Sequence, residues 1–172
     1  MKDKQFEGFF KGILPDSRIE KRAEKIMVDM LNFGNVVVNK FCTTNTKRKG
    51  AYRMLNNNSF DHNDLAEGLY RSCRSNDEPV HLLCIQDTTE LNFTNHINRI
   101  RQEDEDIGPV TKNDNAGFFC HPVLVINPSY QLPVGISHVH IWNRKWDKLS
   151  KTERDYRNRD IKDKESYRWI SG

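Results

Sequence analysis

Apolar residues in the first part of the chain recur every three or four positions, which is the spacing of one helix face. The clearest stretch starts at Asp16 or Ser17, either of which can cap a helix, and ends at Gly34. Residues 6–13 show the same spacing and predict a shorter amphipathic helix that Pro15 stops. The chain is therefore expected to begin with helices.

Two more helices are predicted before residue 78. The first covers residues 47–55, with possible caps at residues 43–46 and an end at Asn56 and Asn57. The second follows Asp61 and carries Leu65 and Leu69 on one face. The polar residues 75–79 read as a linker. We therefore predict a helical domain over residues 1–78 and a second domain over residues 79–172.

After residue 79 the pattern changes to short apolar runs, which are typical of strands. Residues 80–85 are too short and too rich in β-prone side chains for a helix, so they predict a buried strand. Residues 117–126 and 132–142 predict two more strands, and Pro122 indicates an edge strand or a bulge. The start of a helix is expected at Glu165. The predicted fold class is α/β of the α+β type, in which the helices and the strands are segregated along the chain.

The composition fits a lean soluble chain, with 36% hydrophobic and 30% charged residues. No stretch approaches the length of a membrane span or a secretory signal, so we expect an intracellular protein without a membrane partner. The polar residues 95–115, with an acidic run at 103–106, read as a solvated loop rather than a metal site, because nothing apolar anchors them.

Cysteine and histidine positions raise the question of zinc. The four cysteines lack CxxC spacing and read as reduced thiols, with Cys84 in the core of a strand. His81, Cys84, Cys120 and His121 could come from adjacent strands, and His138 and His140 share one face. The paired spacing of structural zinc sites is missing, which argues against zinc.

Positive charge is concentrated in the first segment. Residues 1–57 contain 12 Lys and Arg against 6 Asp and Glu, whereas the whole chain carries a net charge of +3. Residues 47–49 are all basic at the start of a predicted helix, where cations oppose the helix macrodipole and suggest an external anion. A helix, a turn and a second helix with a basic start are typical of a DNA reader. A solvated face with ion pairs within the helix remains the alternative.

The predicted contacts to DNA are five basic side chains that bind phosphate and one tyrosine that lies against the backbone or packs behind the helix. They are Arg18, Arg22, Lys47, Arg48, Arg53 and Tyr52.

Asp87 is the strongest candidate for chemistry, because it stands at the end of the first predicted strand. Aspartate is a poor strand residue unless its charge is used or paired, and a metal-dependent nuclease needs a carboxylate at such a place. Glu90 would face away from Asp87 on a regular strand.

The chain resembles the bacterial cut-and-paste transposases of the Tn-five type, in the IS-four group of insertion sequences. Five blocks in the same order carry the resemblance: LPDSR at 14–18 with Arg22 beyond, GAYR at 50–53 before the Asn56 turn, IQDTTEL at 85–91, GFFCHPVL at 117–124 and ESYRW at 165–169. They are spread across most of the chain.

That resemblance implies a helical domain that binds duplex DNA at transposon ends, followed by a ribonuclease-H-like domain with a mixed sheet. It assigns Asp87 as the first of three carboxylates, Asp, Asp and Glu, that hold two Mg²⁺ or Mn²⁺ ions. The matching second Asp and the Glu are missing, so the sheet is expected to be incomplete, no metal to be firmly bound, and this chain to be an inactive front portion of the enzyme.

The resemblance further implies a bacterial cytoplasmic, nucleoid-associated protein that associates with itself or with full-length transposase. An alternative function from another class stays open. The chain could act as a DNA-binding protein in its own right, which occupies transposon ends as an inhibitor or regulator.

Overall fold

The computed structural model describes residues 6–74, 81–100, 105–110, 115–146 and 160–171. The chain divides into two compact units, Met1–Ser75 and Asn76–Gly172. The first is helical and the second is built on an antiparallel sheet, so the fold combines helices and sheet in the α+β sense. The predicted linker at residues 75–79 lies outside the described residues.

Helix α1 spans Ser17–Phe33 and has the caps that the sequence predicts. The Asp16 carboxylate accepts hydrogen bonds from the backbone N–H groups of Arg18 and Ile19, at 2.8 and 3.1 Å. Gly34 ends the helix in the left-handed conformation at φ 56°, where its N–H group bonds back to the last turn.

Residues 6–13 form consecutive turns, so the helix predicted there is wrong. Their hydrogen bonds connect residues three apart, as from the Phe9 N–H group to the Phe6 carbonyl. Gly8 and Gly12 adopt φ values of 78° and 72°, which a right-handed helix cannot contain. The apolar spacing still serves the core, because Phe10 is 3% exposed.

The described part of the first unit contains three further helices: α2 over Val38–Phe41, α3 over Asn45–Leu55 and α4 over His62–Arg74. Thr44 caps α3 by accepting from the Lys47 N–H group at 3.2 Å, and Asp61 accepts N–H bonds at the start of α4. The four-residue α2 is too short for a periodic signal and was not predicted. The buried core comprises Phe10, Leu14, Ala23, Ile26, Phe41, Cys42, Ala51 and Met54.

The described strands of the second unit are β1 over Leu83–Gln86, β2 over Thr89–Asn92, β3 over Gly108–Pro109, β4 over Ala116–Asn127 and β5 over Leu132–Trp142. Strand β4 is central, with β1 and β2 end to end along one side and β5 along the other. Every described pair is antiparallel, whereas a mixed sheet was expected. A parallel pair would require a long crossover connection, and β4 and β5 are joined by a short turn instead.

Pro122 lies in the central strand, so of the two predicted alternatives the edge position is wrong and the irregularity of a bulge is the one that the structure supports. Strands β1 and β2 keep one register along β4, and their interruption at Asp87 and Thr88 stands opposite Pro122 and His121. Proline cannot donate to the ladder, which accounts for a break at this point. The register with β5 also shifts just after Val123, as in a bulge.

The first strand is exposed, contrary to the prediction of a buried one. Leu83 and Ile85 are 46% and 49% exposed, although β1 pairs with β4. Cys84, predicted to lie in the core, is exposed as well. All four cysteines are free thiols in the structure, and of them Cys42 is buried.

The segment predicted as an unanchored loop has structure and an apolar anchor. It contains a 3₁₀ helix over Thr94–Arg99, strand β3 and the buried Val110, which is 2% exposed. Of the acidic run, Glu105 and Asp106 are exposed in a turn, and residues 103 and 104 lie outside the described residues. The chain ends with 3₁₀ helices at Ile161–Asp163 and Glu165–Tyr167 and with helix α5 over Arg168–Ser171.

Among the described residues, none of the helices has both the length and the apolar character of a membrane span.

Candidate functional site

The candidate nucleic-acid surface of the helical unit is centred on Arg22 of α1 and Gly50 of α3. A Cβ atom added to Gly50 would lie 2.9 Å from Nη1 and 3.0 Å from Cζ of Arg22. The Arg22 guanidinium therefore rests directly on α3, in the space that any other residue at position 50 would fill. Gly50 was part of a motif in the sequence, but only the structure connects it with Arg22.

Lys47 is held at the same α1–α3 seam by an ion pair. Its Nζ atom lies 3.0 Å from Oδ1 of Asp29, which is largely buried. Arg48, the next cation, donates from Nη1 to the Asn45 side chain at 3.0 Å. The basic start of α3 thus has local partners, which weakens the argument that its charge requires an external anion.

The other predicted DNA contacts are exposed. Arg18 is 90% exposed at its side chain and forms a 3.3 Å ion pair with Asp16. Tyr52 is 44% exposed. Arg53 is exposed and three residues from Gly50, on the same helix face. Among the described residues, the guanidinium groups of Arg22 and Arg53 have no ion-pair or hydrogen-bond partner.

Asp87 lies at the break between β1 and β2 and is exposed. Its Oδ1 atom accepts a hydrogen bond from the Thr88 N–H group at 2.8 Å. The sequence prediction that this carboxylate follows the first strand directly is confirmed by β1 ending at Gln86. Its metal-binding role stays a prediction.

Beside Asp87, His121 is completely buried, and sequence reasoning considered it only as a zinc ligand. Its Nδ1 atom lies 2.8 Å from Oγ1 of Thr88, and its Nε2 atom lies 3.4 Å from Oε1 of Gln86. The ring also meets the Trp169 ring edge to face, with centroids 4.8 Å apart. One imidazole thus bonds to both sequence neighbours of Asp87.

The C-terminal residues cover the face of the sheet that carries His121. Arg144 donates from Nε and Nη2 to the two carboxylate oxygens of Glu165, at 2.6 and 2.8 Å. The Arg144 guanidinium also lies over the Phe119 ring, and that of Arg168 lies over Trp142. The tryptophans are packing residues at these contacts, and Trp146 donates to the Ile107 carbonyl.

Burial and charge shift several pKa values in this cluster. Desolvation lowers the pKa of His121, and the nearby Asp87 carboxylate opposes that shift. Desolvation also lowers the pKa of His140, helped by His138 and Arg168. The hydrogen bonds from Arg144 lower the pKa of Glu165. Their surroundings therefore favour the neutral form of His121 and His140 and the ionised form of Glu165.

Within the described part of the chain, no three or more His, Cys, Asp or Glu side chains are arranged to hold a metal ion. The exposed Asp87 carboxylate is a group that could contribute to such a site. Holding two Mg²⁺ or Mn²⁺ ions takes further carboxylates, because one can bridge the ions but cannot enclose them.

Comparison of the chain with profiles of known protein families, and with curated protein sequences, gave no match.

Proposed function

We propose that this chain is the front portion of a cut-and-paste DNA transposase of the Tn-five type, whose helical unit binds duplex DNA at transposon ends. The observation that carries the proposal is a pair of guanidinium groups without ion-pair or hydrogen-bond partners among the described residues: that of Arg22, which rests on α3 at Gly50, and that of Arg53, one turn further along α3. Guanidinium binds phosphate oxygens in a fork geometry, so such groups suit a DNA backbone.

The charges around this seam support phosphate binding over a solvated face. Arg53 lies one turn along α3 from Gly50, and Arg18 lies one turn along α1 from Arg22. Lys47 is compensated by Asp29, whereas no described acidic residue is paired with Arg22 or Arg53. Phosphate would supply the missing counter-charge, and release of counterions from the DNA would drive the association.

In the second unit, Asp87 is proposed as the first of the three carboxylates that hold Mg²⁺ or Mn²⁺ in the complete enzyme. Its place after the first strand of an antiparallel sheet supports a ribonuclease-H-like domain. Bound metal would supply an activated hydroxyl nucleophile and stabilise the leaving oxygen. The chain's own contribution is to hold one oxygen of the exposed Asp87 carboxylate on the Thr88 N–H group.

A second candidate is a DNA-binding protein that occupies transposon ends without catalysis. The compactness of the helical unit favours it, because Met1–Ser75 has its own buried core around Phe41. Both candidates require DNA binding by that unit. They differ in the role of Asp87, which matters only for the transposase.

Fluorescence anisotropy with a labelled duplex tests the shared claim. Arg22→Ala and Arg53→Ala should each weaken binding about tenfold, as expected for the loss of a hydrogen bond to a charged group. Lys21→Ala is the matched control, because it removes the same charge from the neighbouring position on α1. Equal affinity of Arg22→Ala and Lys21→Ala would contradict a specific role for the seam.

Co-expression with the intact transposase separates the two candidates. An inhibitor would lower transposition in proportion to its DNA affinity, and Asp87→Ala would inhibit as well as the unchanged chain. For the transposase, fusion to a segment that carries the other two carboxylates should give cleavage that depends on Asp87.

A further inference from the structure

Gly50 occupies a place where glycine is costly. It is the sixth of the eleven residues of α3, and glycine in a helix interior is less stable than alanine. Its φ is not positive, so its conformational freedom is not used. The missing side chain must therefore serve another purpose, or position 50 would favour alanine.

The purpose is given by the neighbouring atoms. The three heavy atoms nearest to a Cβ at position 50 all belong to the guanidinium of Arg22. None belongs to the backbone of α1 or to the apolar core. Close packing of two helix backbones therefore does not require this glycine, whereas the location of the guanidinium does.

We propose that Gly50 is a positioning residue that seats the Arg22 guanidinium on α3 as a phosphate-binding group, at a cost in helix stability. This inference rests on the proposed DNA binding. The position suits one external phosphate. Lys47, one turn before Gly50, already has its counter-charge in Asp29. Arg53, one turn after Gly50, has no ion-pair partner among the described residues, so it can bind a phosphate together with Arg22.

A Cβ at position 50 would displace the guanidinium and leave the helix intact. The approach of 2.9 Å is shorter than a normal contact, but the atom in the way is the far end of a flexible side chain. Gly50→Ala should therefore stabilise the helical unit and weaken its binding to DNA. If Gly50 were needed for packing of the helices instead, Gly50→Ala would destabilise the helical unit.

The experiment uses the full chain in four forms: unchanged, Gly50→Ala, Arg22→Ala and the double variant. Binding to a labelled mixed-sequence 20-base-pair duplex is measured across a salt series, and melting of the helical unit is followed by circular dichroism. Gly50→Ala should raise the Tm by about 4 °C, the shift expected from helix propensity in a unit of this size. It should also weaken DNA binding about tenfold, as expected for the loss of one charged contact.

The double variant identifies the route of the effect. If Gly50 acts through Arg22, Gly50→Ala should cause no further loss of affinity in the Arg22→Ala background. Three results would each overturn the inference and leave the proposed DNA binding intact. They are additive losses of DNA affinity in the double variant, a lower Tm for Gly50→Ala, and an unchanged DNA affinity of Gly50→Ala when Arg22→Ala binds more weakly. Absence of salt-dependent binding by the unchanged chain would overturn both.

Discussion

His121 and Thr88 are joined by a hydrogen bond of 2.8 Å between Nδ1 and Oγ1, across the break that separates β1 from β2. The other ring nitrogen of His121 reaches Gln86 at 3.4 Å. Gln86 and Thr88 precede and follow Asp87, so the ring ties down the backbone from which the proposed metal-binding carboxylate projects. Its complete burial makes this tie sensitive to protonation.

The lowered pKa values of His121 and His140 predict a loss of stability in mild acid. Unfolding restores the ordinary value near 6.5, so below it the unfolded chain binds more protons than the folded one. The free energy of unfolding should fall as the pH drops below about 6.5. The groups facing the two rings include Asp87, which opposes the shift in His121, and His138 and Arg168, which reinforce both shifts.

Urea unfolding of the second unit at pH 5 and pH 8 measures this effect. The Asn side chain of His121→Asn cannot take up the proton. The free energy of unfolding of this variant should therefore differ less between pH 5 and pH 8, and the remaining difference is the contribution of His140. An unchanged pH dependence in His121→Asn would contradict the assignment.

The Arg144–Glu165 pair is expected to stabilise the second unit. Its two hydrogen bonds are bidentate, but both side chains are about 40% exposed, so solvent screens the pair. Glu165→Gln should cost about 1 kcal/mol in urea unfolding at neutral pH. The lowered pKa of Glu165 means that this stabilisation is present above the ordinary Glu pKa and disappears as the pH falls through the folded value.

Asp160→Asn is the control, because Asp160 is exposed in the same C-terminal segment. Its free energy of unfolding should match that of the unchanged chain. If Glu165→Gln and Asp160→Asn behave alike, the ion pair contributes nothing measurable.

One face of the sheet exposes apolar side chains and predicts self-association. Leu83, Ile85 and Leu91 of β1 and β2 are between 36% and 49% exposed, and they stand beside the half-buried Ile126, Leu124 and Phe118 of β4. An apolar patch next to a strand edge favours association between copies.

Ile85→Lys should lower the average mass in light scattering over a concentration series. Val36→Lys is the control, since Val36 is 76% exposed on the helical unit. A monomer at all concentrations in the unchanged chain would contradict this prediction.

Asp87→Ala should leave DNA binding unchanged. A supercoiled plasmid should stay intact with the unchanged chain and with Asp87→Ala alike. We expect no nicking by the purified chain with Mg²⁺ or Mn²⁺, because a single carboxylate cannot fix two ions for in-line attack. Agarose electrophoresis of plasmid carrying candidate ends measures this. Nicking by the unchanged chain that disappears in Asp87→Ala would mean that a complete site forms around this residue.

Local signals in the sequence predicted the helices that have clear caps and the long strands. Asp16 and Gly34 bound α1 as expected, because capping depends on residues within one turn. The same apolar spacing failed at residues 6–13, since Gly8 and Gly12 adopt positive φ. The exposure of Ile85 also escaped prediction, because apolarity indicates burial only if another element covers the strand.

Contacts between residues distant in sequence account for what was missed in the candidate sites. The ion pair of Lys47 with Asp29 spans eighteen positions, and the bond between Thr88 and His121 spans thirty-three. No short motif encodes either. The sequence therefore identified Arg22 as a candidate but not the glycine on which it rests, and it identified Asp87 but not the buried ring beside it.

The salt dependence of duplex binding by the unchanged chain measures how many phosphates the helical unit neutralises. Three guanidinium contacts, from Arg18, Arg22 and Arg53, predict a slope of log affinity against log salt of about −2.7, and contributions from Lys47 and Arg48 would steepen it to about −4.5. Titration of a labelled duplex between about 50 and 200 mM salt gives this slope. A slope in that range that becomes shallower by about 0.9 in Arg22→Ala agrees with the account, whereas a slope near zero contradicts it.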